Sequence, residues 1–405
     1  MQAPKSSLKI ADLLNYFPSS VWESLAQEYA VDKHVKKLKG KDVCLLVLYA
    51  MFQGKTTSLR TLETYYGSSV FQTYAGIRQG SQIDHSSIAD RLTRLQGSYV
   101  KALFSHVQQQ LLQRYPSQKI NGYELIRFDS TLLSISAKLL SKDETGTPLI
   151  GMKNGSKGKV SGKEVLSVKF TVGFDGLYTR VGELFTLGNY IPENKALAEV
   201  VEGYSYTKGQ IAVFDRGISR RKTYQQLCSA GVIFVTRINP SAKKELIKEI
   251  DLQNQQDATL IYHQDQWVYL FNSDTKVTTP LRIIQTTSQE TGKPLCFLTN
   301  STDLTPQEIA MIYQRRWDIE CFFKFLKQEL GIRHFLVRNE TGLMTVLYLA
   351  LIAAMLIYIY KIENKKSSYK IAKIAFHIEL EEFIIELIVQ EKIKEKLTKQ
   401  YNPKE

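Results

Sequence analysis

The chain has little cysteine and histidine, and no motif built from either. Its four cysteines, Cys44, Cys228, Cys296 and Cys321, lie far apart and form no C-x-x-C pair. That argues against a zinc module and for a reducing compartment, with each cysteine a small core residue. The six histidines form no cluster that would hold a softer metal. The N-terminus, MQAPKSSLKI, lacks the apolar run of a signal peptide. Internal repeats, low-complexity linkers and a clear helix-turn-helix signature are also missing. Acidic residues are in deficit: 40 Asp and Glu stand against 53 Lys and Arg, a formal charge of +13. That excess favours a polyanionic partner.

Long apolar runs are scarce, with one exception. Leu343 to Tyr360, LMTVLYLALIAAMLIYIY, carries no charge over 18 residues, the lower limit for a membrane span. Lys361, Lys365 and Lys366 follow it. It is a single run of minimal length that contains tyrosines and directly follows the helix of residues 313–327, so a helix buried inside a large domain is expected, and no membrane partner. A single-span membrane protein is the alternative.

Patterning changes along the chain. Residues 1–120 read as helical, with helices over Val43–Phe52, from Ser58, over Ser86–Leu95 and over Val100–Gln113. The basic stretch Lys33, His34, Lys36, Lys37, Lys39 and Lys41 is either a solvated face or a contact with DNA backbone. From Tyr123 the period shortens to that of strands. YELIRFDS, the pair Val165–Thr186 with a turn at Asp175-Gly176, Ile211–Phe214 and Gly231–Ile238 are expected strands, with a helix over Ser219–Ser229. This is a mixed α/β pattern over 121–238. Residues 239–294 read as a β-rich insertion, polar at first. The core resumes over 295–360, and a basic helical tail fills 361–405. Thr305-Pro306-Gln307-Glu308 gives a helix start with a capping box and Pro at N1.

That helix carries YQRRWDIECFFKFLK, residues 313–327. Tyr313, Arg316, Glu320 and Lys327 fall within roughly 60° of arc on one continuous helix. Ile312, Ile319, Phe322, Phe323, Leu326 and Leu330 fill the neighbouring face. A carboxylate flanked by fixed cations suits a metal ion that handles phosphates. Two further acids stand at predicted strand ends in hydrophobic-Phe-Asp-polar contexts: Asp129 in IRFDST and Asp215 in AVFDRG. Either alone is an ordinary turn residue. The order Asp, Asp, helix Glu fits a two-metal phosphodiester site. Asp175 and Glu183 are more simply turn or surface groups.

Tyr-x2-Arg-x3-Glu-x6-Lys resembles the signature of bacterial insertion-sequence DDE transposases of the family-four type, and the resemblance covers most of the chain. It implies an RNase H-like mixed sheet with flanking helices, a β-rich insertion and an N-terminal helical DNA-binding domain. It implies that Asp129, Asp215 and Glu320 are catalytic and bind two Mg²⁺ or Mn²⁺ ions, as hard oxygen ligands would. Tyr313, Arg316 and Lys327 would hold phosphates of the transposon end. Arg216 is a further phosphate contact or a surface ion pair, and Trp317 a base-stacking platform or a core residue. The implied activity is cut-and-paste transposition on double-stranded DNA, at inverted-repeat ends and at the target. A hairpin intermediate and a homodimer in the synaptic complex belong to that picture, in a cytoplasmic, nucleoid-associated bacterial protein. Relatives place an aromatic in the insertion shortly before the signature helix. Here Trp267 lies well upstream and Phe297 falls in a core strand, so the base-flipping wedge is unassigned. An RNase H-like nuclease without strand transfer, and an inactive transposase-derived DNA-binding protein, are the alternatives.

Overall fold

The structure, a computed structural model, describes residues 8–53, 58–136, 152–153, 159–160, 163–186, 192–252, 256–272, 275–332, 337 and 339–401. It divides into two compact units. One comprises Met1–Pro116, Leu133–Val168 and Lys324–Glu405, the other Ser117–Leu132 and Lys169–Phe323.

The first unit is built largely of helices. It opens with α1 (Ile10–Leu14), α2 (Ser19–Glu28), α3 (Gly40–Gln53), α4 (Leu59–Tyr66), α5 (Ser69–Ala75), α6 (His85–Arg94) and α7 (Gly97–Arg114). The side chains of Ser58, Ser68 and Asp84 cap α4, α5 and α6 by accepting from backbone N–H groups in the first turn. The expected helices lie within α3, α4, α6 and α7, while α1, α2 and α5 were not foreseen. Sequence patterning missed these three because each is short or presents only one or two buried residues.

Strands then follow: β1 (Lys119–Ile120), β2 (Tyr123–Ser136), β3 (Met152–Lys153), β4 (Lys159–Val160), β5 (Lys163–Phe174) and β6 (Thr179–Phe185). Next come α8 (Glu193–Gly203), β7 (Gln210–Phe214), α9 (Arg221–Ser229) and β8 (Ile233–Arg237). The segment between the last two core strands forms β9 (Lys244–Ile250), β10 (Leu260–Leu270), β11 (Leu281–Ser288) and β12 (Pro294–Thr299). The chain closes with α10 (Pro306–Gln314), α11 (Trp317–Gln328), α12 (Glu340–Glu363) and α13 (Tyr369–Tyr401).

The long apolar run forms the centre of α12. It is buried almost throughout, packed against α3, α6, α7 and α13 of its own unit. A helix apolar all round is stable in such a setting.

One mixed sheet runs in the order β5-β2-β7-β8-β12-β11-β10-β9, with β6 on the far side of β5. The strands β2, β7 and β8 are parallel, whereas β8, β12, β11, β10 and β9 alternate in direction. This mixed α/β sheet with flanking helices is consistent with an RNase H-like fold. The strands of 239–294 are a hydrogen-bonded continuation of the same sheet through β12. KELIKEI, which reads as polar, is β9, an outer strand of the sheet with largely exposed side chains.

The central strands are apolar on both faces. Leu125, Ile211, Val213, Val235 and Phe297 join Ile309, Ala310 and Ile312 of α10 in one core cluster. Ile126, Phe128, Ala212, Phe214 and Phe234 join residues of α8 and α9 in another. Strand alternation therefore points Arg127, Asp129 and Asp215 toward the side that α10 covers.

Candidate active site

In the parallel register, Phe128 of β2 pairs with Phe214 of β7. Asp129 and Asp215 each follow directly, so the register brings the two acids to neighbouring positions on one face. This is the carboxyl end of the parallel pair, where α/β sheets place their sites.

Asp129 is held from behind. Its Oδ1 accepts from the Ser130 amide at 2.8 Å, and the Ser130 hydroxyl lies 2.8 Å from that of Thr171. Burial pushes its carboxyl up to about 6, and the nearby charges of Asp215 and Glu320 push the same way. The Arg316 guanidinium opposes them: its Nη1 is 3.6 Å from Asp129 Oδ2, and its Nη2 is paired with Glu320 Oε1.

Asp215 is shaped by its own loop. Its Oδ1 accepts from the Gly217 amide at 2.8 Å. A side chain at Gly217 would put its first carbon 2.7 Å from that oxygen, so glycine here leaves the Asp215 carboxylate room to hold its position. Thr236 on β8 donates to the Asp215 carbonyl at 3.1 Å.

The signature does not lie on one continuous helix. α10 ends at Gln314 and α11 begins at Trp317, with Arg315 and Arg316 in a turn between them. There the amides of Arg316, Asp318 and Ile319 donate three residues back, to Tyr313, Arg315 and Arg316. The tighter winding shifts Tyr313 relative to Glu320, so the stripe expected of one continuous helix is interrupted at Arg316. Arg316 occupies the break itself. Its guanidinium carbon lies 5.8 Å from the centre of the Tyr313 ring, which in turn packs on Phe297. Burial raises the Tyr313 phenol above its ordinary range.

The structure thus brings together Asp129, Asp215, Glu320, Arg316 and Tyr313. Lys327 stands in the last turn of α11, two turns beyond Glu320. Arg216 is exposed. Trp317 is 60% exposed, which excludes the core position considered for it. Asp175 is a turn residue as expected, capping the Leu177 and Tyr178 amides, yet it is buried and paired with Arg180 at 2.7 Å. Gly176 beside it has φ +105°, a conformation that glycine adopts without strain. Sequence reading missed Arg127, an arginine inside the apolar strand YELIRFDS that reaches the turn around Arg316. The available signal was a charge at a position two residues before Asp129, on the same face.

Among the described residues, no three His, Cys, Asp or Glu side chains stand together closely enough to hold a metal as placed. Two of the three acids are instead bridged by a guanidinium. The donor set still fits a hard divalent cation: it is all oxygen, and Asp129 experiences the repulsion of both other acids. A positive ion among them would relieve that repulsion, the part Arg316 now plays.

Comparison with known proteins gives a consistent picture. The family model for the transposase DDE domain matches residues 121–356. The chain is 28% identical over 163 residues to a putative transposase, y4zB, of Sinorhizobium fredii, covering 40% of this chain and 46% of that protein. It is 24% identical over 199 residues to the probable transposase for insertion sequence element IS5377 of Geobacillus stearothermophilus, covering 46% and 52%. A putative transposase for insertion sequence element IS4SA of Synechocystis is 28% identical over 85 residues, 21% of this chain and 24% of that protein. The matched regions span about half or less of these relatives.

Proposed function

Since the chain belongs to the family of transposase DDE domains, we propose that it is the cut-and-paste transposase of an insertion sequence. Asp129, Asp215 and Glu320 are its catalytic and metal-binding acids. The observation that carries this reading is that Arg316 pairs with both Asp129 and Glu320, while Asp215 lies near enough to Asp129 to repel its charge, at the carboxyl end of the parallel β2–β7 pairing.

The three acids would hold two Mg²⁺ or Mn²⁺ ions, which would supply a water nucleophile at neutral pH and offset charge on the attacking and leaving oxygens. Asp129 has to give up its proton to bind a cation, and the charge of the cation itself favours the ionised form. Arg316 leaves the carboxylates and grips a DNA phosphate bidentately, which a lysine could not do. Its Nε is buried and has no acceptor among the described residues, a donor in reserve. Tyr313 and Lys327, the other members of the Tyr-Arg-Glu-Lys pattern, are further phosphate contacts, and the exposed Arg216 beside Asp215 is another. Trp317, with most of its ring in solvent, is the stacking platform for a base displaced in a hairpin step.

The exposed Lys33, His34, Lys36, Lys37 and Lys39 favour the helical N-terminal region as the DNA-end binder. Two ends must meet in one complex, and a homodimer supplies both sites. In support, α13 exposes Ile371, Ile374, Ile378, Ile385, Val389 and Ile393 along one stripe.

The test is cleavage of a duplex carrying the element's own end in Mg²⁺, wild type against Glu320→Ala. Nicking at the boundary by the wild type alone supports the reading, and joining of that end to a second DNA separates transposase from nuclease. Binding by both proteins, with cleavage by neither under any divalent ion, overturns it.

A further inference from the structure

Arg127 lies on β2 two residues before Asp129 and is 3% exposed. A buried guanidinium needs a full set of acceptors, and Arg127 takes them from both sides of the site. Its Nη1 donates to the carbonyl of Leu125 on its own strand at 3.0 Å. Its Nε donates to the Arg315 carbonyl at 2.8 Å, and its Nη2 pairs with Asp318 at 3.1 Å. Those last two acceptors flank Arg316 in the break between α10 and α11. The break contains neither glycine nor proline, the usual causes of one. The Arg315 carbonyl also accepts from the Asp318 amide at 3.1 Å, the three-residue bond that defines the tighter turn. Gly176 lies against the guanidinium, where a side-chain carbon would stand 3.4 Å from Nη1.

We infer that Arg127 is a positioning residue for the active site: it clamps the α10–α11 break to the strand bearing Asp129. It thereby fixes Arg316 and Glu320 opposite that acid. The clamp is a property of the fold, but its role in cleavage rests on the function proposed above. Arg127 touches neither of the other two acids nor any reacting atom. Its effect runs through the Arg315 carbonyl and the Asp318 carboxylate. Lysine would retain a charge for Asp318 but lacks the three-way fork.

Hydrogen exchange and Mn²⁺ titration test this together on full-length Arg127→Met, Arg127→Lys and Asp318→Asn. The amides of Asp318, Ile319 and Glu320 are expected to exchange at least 10-fold faster in Arg127→Met, relative to those of β7 and β8. Mn²⁺ affinity should fall at least 5-fold, with Arg127→Lys in between. The Asp318 side chain is 37% exposed, so Asp318→Asn is expected to fold and to give the same local loosening, even if Arg127→Met does not fold. Unchanged exchange at these amides overturns the inference, as does acceleration spread evenly over the sheet. Local loosening in a protein whose wild type never cleaves DNA leaves the clamp standing and removes the proposed function.

Discussion

Arg316, in the turn between α10 and α11, reaches Asp129 on β2, 3.6 Å from nitrogen to oxygen. The same guanidinium is paired with Glu320. One cation therefore faces two carboxylates, of which Asp129 is disfavoured as an anion by burial and by the charges of Asp215 and Glu320. Replacing it by alanine should destabilise the metal-free protein by about 1–3 kcal/mol, the cost of an uncompensated, partly buried charge. Mn²⁺ should restore more stability to Arg316→Ala than to the wild type. Melting curves with EDTA and with Mn²⁺ check both statements, and equal gains in the two proteins would sink them.

The Asp129 carboxyl gives a pH signature. In the folded chain it keeps its proton to about pH 6. In the unfolded chain it loses it in the ordinary carboxylate range, near 4. Between those values the unfolded state has released a proton that the folded state retains, so stability falls as pH rises, and the loss is complete above about 6. Relative to Asp129→Asn, the metal-free wild type should lose about 2 kcal/mol between pH 4 and pH 6.5. Denaturant titrations in EDTA at four or five pH values measure it. Parallel stability curves for the two proteins would count against the assignment.

Gly217→Ala should separate activity from stability. The added carbon has to displace the Asp215 carboxylate, the free end of a side chain, so the fold yields at little expense. A stability change of no more than about 1 kcal/mol is expected. Nicking of the end duplex should drop by about 10²-fold, because a catalytic group is misplaced by an ångström or so. A variant that cleaves at the wild-type rate would show that the Asp215 position is not critical.

The insertion strands have their own fastening. Arg282 on β11 forms a two-pronged pair with Asp265 on β10, at 2.8 and 2.5 Å, and donates to the Leu304 carbonyl just before α10 at 2.6 Å. Both side chains are buried. Arg282→Met leaves a buried carboxylate unpaired and should cost about 3–5 kcal/mol. Denaturant unfolding monitored through Trp267, which lies on β10, reports the loss. A shift under about 1 kcal/mol would mean that solvent reaches Asp265 in the variant.

Much of the core was legible because its residues obey local rules. Asp215 follows the end of an apolar strand as its motif suggests, whereas the strand of Asp129 runs on to Ser136; strand alternation assigns the faces of both. Thr305, Pro306 and Glu308 announce α10, and the capping box is present in the structure. Other features depend on partners remote in sequence. Nothing in QRRW marks a helix break, because the group that holds the Arg315 carbonyl is Arg127. The parallel pairing of β2 with β7 follows from the burial of both faces, which a short apolar run does not specify. KELIKEI escaped notice as a strand because it is a mostly solvated outer one.

The bond between Arg127 and Arg315 joins residues 188 apart in the chain. At a synthesis rate of 5–20 residues per second, roughly 10–40 s separate the emergence of its two ends from the ribosome. Through that interval the strand bearing Asp129 has been made, but the helix bearing Glu320 has not. A nascent chain therefore passes a long stretch of its synthesis with an incomplete catalytic centre. Premature termination anywhere before α11 yields a fragment that lacks Glu320, so any DNA-cutting capacity that depends on it is acquired late in translation.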